Sequence, residues 1–164
     1  MSTRKIAVAG AAITAALCIA APAMAQAPTG TLTFHEPADA GTFNIVDNAP
    51  KSRGSGARQR LSTKDVVVFS NALQDASGKR AGTLRVACYI KKAGTFATAK
   101  ADCVGVFGLT TGNIYVSVLD QGFTGSTTDG TIVGGTRAYV GAKGTFHSVS
   151  HQNDTSDDTL TFTP

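Results

Sequence analysis

The chain has 164 residues, a formal net charge of +4 at pH 7, 18 glycines and no tryptophan. Its calculated pI is near 9.1. Two of its basic residues, Arg4 and Lys5, stand close to the N-terminus, and without these two the net charge falls to +2. So small a charge gives no support to a nucleic-acid-binding function, and the length is typical of one domain.

The first 25 residues have the pattern of a cleavable secretory signal peptide. Basic residues precede an apolar run over residues 6–21, and Ala23 and Ala25 provide a small-x-small cleavage site before Gln26. A retained membrane anchor is the alternative, but the run is short for a bilayer span and ends cleanly at Pro22. We therefore expect a secreted or periplasmic protein.

The remaining sequence, residues 26–164, reads as one all-β domain. Short runs of β-branched and aromatic residues alternate with clusters of Gly, Asn, Asp and Ser, which is typical of strands joined by tight turns. The predicted strands cover residues 31–36, 42–47, 65–72, 83–91, 102–109, 114–120, 130–134, 145–150 and 159–163. Eight or nine strands with short connections indicate a single antiparallel barrel or sandwich. Closure of the sheet would also remove its exposed edges.

Two segments between these strands carry unbalanced charge. Residues 48–64 contain five basic residues and no acidic residue around a Gly-Ser-Gly sequence, whereas residues 151–158 contain three aspartates. The basic segment is interpreted as a solvated flexible loop, with contact to an anionic surface or ligand as the alternative.

Two cysteines, Cys88 and Cys103, remain after removal of the signal peptide, and an exported chain favours their pairing. Strand alternation places Cys88 on the side of Val86 and Cys103 on the side of Phe107, so a bridge would put both apolar sets on one face. The bridge would close a loop of 16 residues and stabilise the fold by roughly 3 kcal/mol. Two buried free thiols or half of a metal site are the alternatives, but no Cys-x-x-Cys spacing supports a metal.

Three carboxylates are the candidate catalytic groups: Glu36, Asp47 and Asp120. Each stands at the end of a predicted strand, and by alternation each lies on the strand's apolar face; Glu36, for example, follows Leu32 and Phe34. Burial on that face would raise the pKa of the carboxyl and make it a plausible general acid or base. The alternative for each residue is a solvated position at the rim or a turn cap.

Metal and nucleotide chemistry find little support in the sequence. His147 and His151 stand four residues apart with Asp154 nearby, but this spacing suits a metal site on a helix and the segment reads as a strand end, so exposed histidines are favoured. The sequence has no nucleophile elbow, phosphate-binding glycine loop or metalloprotease motif. We expect neither a metal nor another cofactor.

The segment from Thr131 onward carries the most distinctive pattern, Val-Gly-Gly-Thr at residues 133–136 followed by Tyr139 and by Gly-Ala-Lys-Gly at residues 141–144. This pattern resembles the signature hairpin of the dirigent and allene oxide cyclase-like barrels. Other segments resemble the family in the same order along residues 31–163: His35-Glu36, Phe69-Ser70-Asn71, Gly78 to Gly82, Cys103 to Phe107, and Gly112-Asn113-Ile114.

The resemblance implies an eight-stranded antiparallel barrel with a ligand-sized cavity, which acts without a cofactor on small, largely apolar molecules. Glu36 would stand for the family's first-strand aspartate. Arg137 departs from the family, which has a small residue after Gly-Gly-Thr, and it would narrow the mouth or bind an acidic ligand. Arg137, Tyr139 and Tyr115 are the candidate substrate-binding residues.

Two functions are consistent with this sequence. The first is an isomerase, cyclase or dirigent-like protein that orients a small hydrophobic substrate. The second is a non-catalytic barrel that binds such a ligand or acts as a surface protein, because fold alone does not settle function. Apolar residues on both faces of the strand at 114–120, among them Tyr115 and Leu119, further predict a homodimer or homotrimer.

Overall fold

The computed structural model describes residues 27–48 and 59–164, which form eleven β-strands and one short 3-10 helix, Arg137–Tyr139. The strands are β1 (Gly30–Glu36), β2 (Gly41–Val46), β3 (Arg60–Leu61), β4 (Val66–Gln74), β5 (Arg80–Lys92), β6 (Gly94–Thr95), β7 (Lys100–Leu109), β8 (Gly112–Gln121), β9 (Thr127–Gly135), β10 (Gly144–Ser150) and β11 (Ser156–Phe162). The predicted signal peptide and most of the basic segment lie outside the described residues.

Eight of the strands close into an antiparallel barrel, as predicted. The order around the barrel is β1-β11-β10-β9-β8-β7-β5-β4, and β4 returns to β1 through the pairing of Gln74 with His35. β2 lies on the same side of β4 as β1 and pairs with the next part of that strand, from Gly41 opposite Asn71 to Val46 opposite Val66. The predicted all-β barrel is therefore confirmed.

Each of the nine predicted strands is present, but three of them begin three residues earlier than expected. β5 begins at Arg80 instead of residue 83, β9 at Thr127 instead of residue 130, and β11 at Ser156 instead of residue 159. The additional strands β3 and β6 form a small separate sheet. In the described part of the chain, no helix has the length and apolar character required to cross a membrane.

The two ends of the barrel differ. The closed end holds the start of β1 and the end of β11, where the ring of Tyr139 stacks on Phe162 at a centroid distance of 6.0 Å. Gly135 permits this closure, because a Cβ at that position would lie 2.5 Å from the Cβ of Tyr139. Toward this end the lumen is filled by aromatic rings, with Phe107 in contact with both Phe34 and Phe146.

The opposite, open end holds the end of β10 and the start of β11. Here the wall is reinforced by the disulfide between Cys88 of β5 and Cys103 of β7, which pair directly across the strands with Cα atoms 4.0 Å apart. Both cysteines are buried on the inner face. The predicted bridge and its predicted face are therefore both observed.

Candidate functional site

A cavity of about 240 Å³ occupies the lumen between the aromatic core and the open end. Its apolar wall is built by inward-facing residues of neighbouring strands: Phe69, Leu84, Val86, Val116, Val118 and Phe146. Its polar groups are Glu36, Asn71, Ser148 and Asp158, with Gln121, Thr128, Ser150 and Ser156 nearer the open end. An apolar cavity with a few convergent polar groups is the usual form of a small-molecule site.

Glu36 and Asp158 meet on the inner face of two paired strands. The β1–β11 register sets Phe34 opposite Asp158 and Glu36 opposite Ser156, so the two carboxyls are diagonal neighbours that both point inward. Glu36 is 5% exposed and Asp158 is 1% exposed. β1 ends at Glu36 because Pro37, which has no backbone N–H, follows it.

Asp158 was not among the sequence candidates. Its immediate surroundings, Ser156-Asp157-Asp158, have the composition of a turn, and the predicted strand began only at residue 159. Alternation did carry the signal, because Asp158 is in phase with Leu160 and Phe162, both of which are buried. A predicted strand that began one residue earlier, at Asp158, would have placed this carboxyl in the core.

Burial makes both carboxyls weak acids. Loss of hydration, and after it the nearby negative charge of Glu36, raise the pKa of Asp158 to about 8. The pKa of Glu36 is also raised, because its burial outweighs the hydrogen bond from Asn71. Neither oxygen of Asp158 has a hydrogen-bond partner among the described residues. Ser148 lies near enough to lower the pKa of Asp158, but by less than burial raises it.

Asn71 makes the two carboxyls unequal. Its side-chain amide donates a hydrogen bond to Oε2 of Glu36. Such a donor favours the ionised form of Glu36, whereas Asp158 has no comparable donor and keeps its proton. A protonated Asp158 beside an ionised Glu36 can donate its own hydrogen bond to that neighbour. Gly41 makes room for this arrangement, because a Cβ on Gly41 would overlap the carboxamide oxygen of Asn71.

The segment between β8 and β9 partly covers the open end. Phe123 in this segment lines the cavity and contacts Phe96 edge-on, with ring centroids 5.6 Å apart. The side-chain amide of Gln121 donates to the carbonyl of Gly122 and to Oγ1 of Thr128, at 2.8 and 3.1 Å. These contacts position an aromatic ring and an amide at the entrance.

The other two candidate catalytic carboxylates are not among the cavity-lining residues. Asp47 is half-buried just beyond β2. Asp120 is exposed because β8 bulges, so that residues 119 and 120 both stand opposite Asp102. The backbone of Asp120 has a φ of 54° and its N–H donates to Oδ1 of Asp102 at 3.0 Å. The bulge breaks the alternation that placed Asp120 on the inner face.

The three candidate substrate-binding residues also lie away from this cavity. Arg137 is exposed at the closed end, with a φ of 55°. Tyr139 lies at the same end, where its hydroxyl is 2.9 Å from Oγ1 of Thr111. Tyr115 alternates with the buried Ile114 and therefore faces outward. The Gly-Gly-Thr hairpin accordingly closes the barrel end opposite the acidic pair.

The histidines pair with aspartates on the outer surface. Nδ1 of His147 is 2.7 Å from Asp129, and Asp157 lies between His35 and His151 at 2.8 and 2.9 Å. His147 and His151 thus have separate carboxylate partners. In residues 27–48 and 59–164, no group of three His, Cys, Asp or Glu side chains is arranged to hold a metal ion.

Comparison with known proteins supports the fold. No protein-family model matches the chain, and no curated protein matches it. Among solved structures, a pyocyanin demethylase matches with a TM-score of 0.61 and 21% sequence identity, over 81% of this chain and 99% of that one. At this level of identity the likeness shows that the two chains share a small β-barrel fold.

Proposed function

We propose that this barrel binds a small, largely apolar molecule in its cavity and transfers protons to and from it with Glu36 and Asp158. The observation that carries the proposal is the burial of two adjacent carboxyls, both with raised pKa, inside an otherwise apolar cavity. Acids and bases with pKa values near the working pH are the most effective proton-transfer catalysts. The proposed activity is that of a cofactor-free isomerase or cyclase.

The asymmetry of the pair assigns the roles. Glu36, whose ionised form is favoured by the hydrogen bond from Asn71, removes a proton from the bound molecule, and Asp158 donates its proton to another atom of the same molecule. The product then has the same composition as the substrate, with a bond at a different position. Glu36 is left protonated and Asp158 ionised, and a proton passing directly from Glu36 to Asp158 restores the starting state. The chain's own residues therefore balance the reaction.

Two resemblances agree with this proposal. The sequence pattern around Gly134 resembles the dirigent and allene oxide cyclase-like barrels, which orient small reactive molecules. The structural neighbour is by name an enzyme that demethylates pyocyanin, so a barrel of this shape serves catalysis on a small molecule there. We assign no demethylation to this chain.

A non-catalytic ligand-binding barrel is the second candidate. The observation that favours it is the filling of the closed half of the lumen by Phe34, Phe107 and Phe146, which limits the cavity to about 240 Å³. A barrel that only binds would need the apolar wall but not the acid–base pair. The two candidates therefore differ in what they require of Glu36.

The variant Glu36→Gln tests the proposal. A substrate is first identified by mass spectrometry of small molecules that co-purify with the protein from its host. The variant should still bind that compound, and at saturating concentrations it should convert the compound about 100- to 10,000-fold more slowly, which is the usual loss of a general acid or base. Asp120→Asn, which removes an exposed carboxylate, is the matched control and should keep full activity. Full activity and unchanged product selectivity in Glu36→Gln would exclude Glu36 from the chemistry.

Export is proposed on the sequence pattern alone. The predicted signal peptide lies outside the described residues, and its removal would leave residues 26–164 as the mature secreted or periplasmic domain. Intact-mass analysis of exported protein should give a chain that begins at Gln26. A chain that retains Met1 would contradict the proposal.

A further inference from the structure

The cavity that holds the acidic pair has no basic side chain in its wall. Among the described residues that line it, Glu36 and Asp158 are the only titratable side chains, and none is Lys, Arg or His. The ammonium group of Lys100 lies beside Gly122 at the rim and forms no ion pair with either carboxyl. The hydrogen bond that Glu36 accepts from Asn71 comes from a neutral amide.

Without a positive charge in the wall, an ionised carboxylate in the empty cavity is destabilised. An ionised carboxylate that leaves water for an apolar site is costly unless an opposite charge compensates it. Outside the cavity, Asp157 adds a further negative charge close to Asp158. A cationic group in the cavity would supply the missing compensation, whereas an anionic group would add to the repulsion.

The walls are suited to the same class of ligand. Three phenylalanine rings, those of Phe69, Phe123 and Phe146, line the cavity. Aromatic faces attract cations through the ring quadrupole, and the attraction increases when the cation is removed from water. A cavity of 240 Å³ exceeds the roughly 150 Å³ that accommodates benzene, so one ring with a compact substituent fits.

We propose that the molecule recognised in this cavity is a small organic cation whose positive charge lies against the Glu36–Asp158 pair and whose apolar part contacts the phenylalanine rings. This inference rests on the proposed function, because it names the substrate class of the same site. The inference specifies that the ligand is positively charged, whereas the proposed proton transfer does not determine the charge of the ligand.

Two probes of the same shape test the charge preference. Phenyltrimethylammonium and tert-butylbenzene differ by one positive charge, and the binding of each is followed at pH 7.5 by shifts in the NMR signals of Phe69 and Val116, which line the cavity. The cation should bind at least about tenfold more tightly than its neutral counterpart, equivalent to about 1.4 kcal/mol. Equal or weaker binding of the cation would overturn the inference.

Substitutions locate the source of the preference. The double variant Glu36→Gln/Asp158→Asn keeps the size of both side chains, so it should lose the preference for the cation and retain tert-butylbenzene binding. Asp120→Asn removes an exposed carboxylate that does not line the cavity, and this control should keep the preference. A preference that persists in the double variant would overturn the inference. If the double variant folds poorly, the two singly substituted chains are measured instead, and a preference that persists unchanged in both would overturn the inference.

The same measurements separate this inference from the proposed function. If tert-butylbenzene binds and the cation binds no more tightly, the proposed charge preference is wrong, but the proposal that the cavity binds a small apolar molecule is retained. If neither probe gives saturable shifts at the cavity residues, both the charge preference and the ligand cavity are wrong.

Discussion

Replacement of Asp158 by asparagine should stabilise the barrel at alkaline pH and leave its stability nearly unchanged at acidic pH. The substitution conserves shape and removes the ionisable group, and the introduced amide can donate to Glu36 in place of the protonated carboxyl. In the folded protein the pKa of Asp158 is raised from 3.8 to about 8 by burial and by the charge of Glu36.

The sign of the effect follows from proton binding in the two states. Between pH 4 and pH 8 the folded protein holds the Asp158 proton while the unfolded chain has lost it, so the stability of the parent protein falls as pH rises. The decrease ends above pH 8, where the carboxyl is ionised in both states. At about 1.4 kcal/mol per pKa unit, a rise of about four units sets an upper limit of roughly 6 kcal/mol. Asp158→Asn removes this pH-dependent loss.

Urea unfolding followed by circular dichroism, with the disulfide intact, measures the effect in steps from pH 4.5 to pH 8.5. The difference in unfolding free energy between variant and parent should grow steadily with pH. Asp75→Asn is the control, because hydrogen bonds from Ser77 and Lys79 lower the pKa of the exposed Asp75 and it stays ionised throughout this range. A difference that is constant with pH for Asp158→Asn would refute the burial argument.

Three further predictions concern the neighbours of the pair, the disulfide and the outer surface. Asn71→Leu removes the donor to Glu36 and should raise the pKa of that carboxyl, as measured by carbon-13 NMR titration; an unchanged titration would show that Asn71 does not control it. Replacing both Cys88 and Cys103 by alanine should lower the free energy of unfolding by roughly 3 kcal/mol in urea titrations, and a loss below about 1 kcal/mol would contradict a stabilising bridge. Leu119 is 71% exposed on the outer face, so Leu119→Glu should dissociate the expected dimer or trimer in sedimentation experiments. A parent protein that sediments as a monomer at every concentration would refute the oligomer.

The strands could be predicted because the alternation of apolar and polar side chains with a period of two residues can be read directly from the sequence. In β5 the buried Leu84, Cys88 and Ile90 alternate with exposed Arg85 and Tyr89, and each apolar position of the pattern points into the barrel. The disulfide was expected because an exported chain retains two cysteines, and the same alternation agreed with it, since a cross-strand bridge requires both sulfurs on one face. Information of this kind depends only on near neighbours along the chain.

The site depended on features that alternation does not encode. The bulge in β8 needs one residue more on that strand than on β7, and it turned Asp120 outward. The position of Arg137 and Tyr139 at the closed end follows from the direction of β9 within the closed barrel. The pairing of Glu36 with Asp158 joins residues more than 120 positions apart and depends on the β1–β11 register. Only Glu36 was predicted, because the predicted strand at residues 31–36 included it, whereas the predicted strand at residues 159–163 began one residue after Asp158.

The buried acidic pair is difficult to attribute to folding alone. Asp158 lies on the inner face of β11, next to Leu160 and opposite Phe34, and a residue of similar size without a titratable group would spare the protein a loss of stability above pH 4. The barrel is otherwise built for stability, with a closed sheet, a cross-strand disulfide and an aromatic core at one end. Strongly perturbed carboxyls that face a cavity in such a scaffold are characteristic of functional sites, where local stability is given up for chemistry. The position of the pair, at the boundary between the filled half of the lumen and the cavity, brings the carboxyls within reach of a ligand while the aromatic core supports them from below.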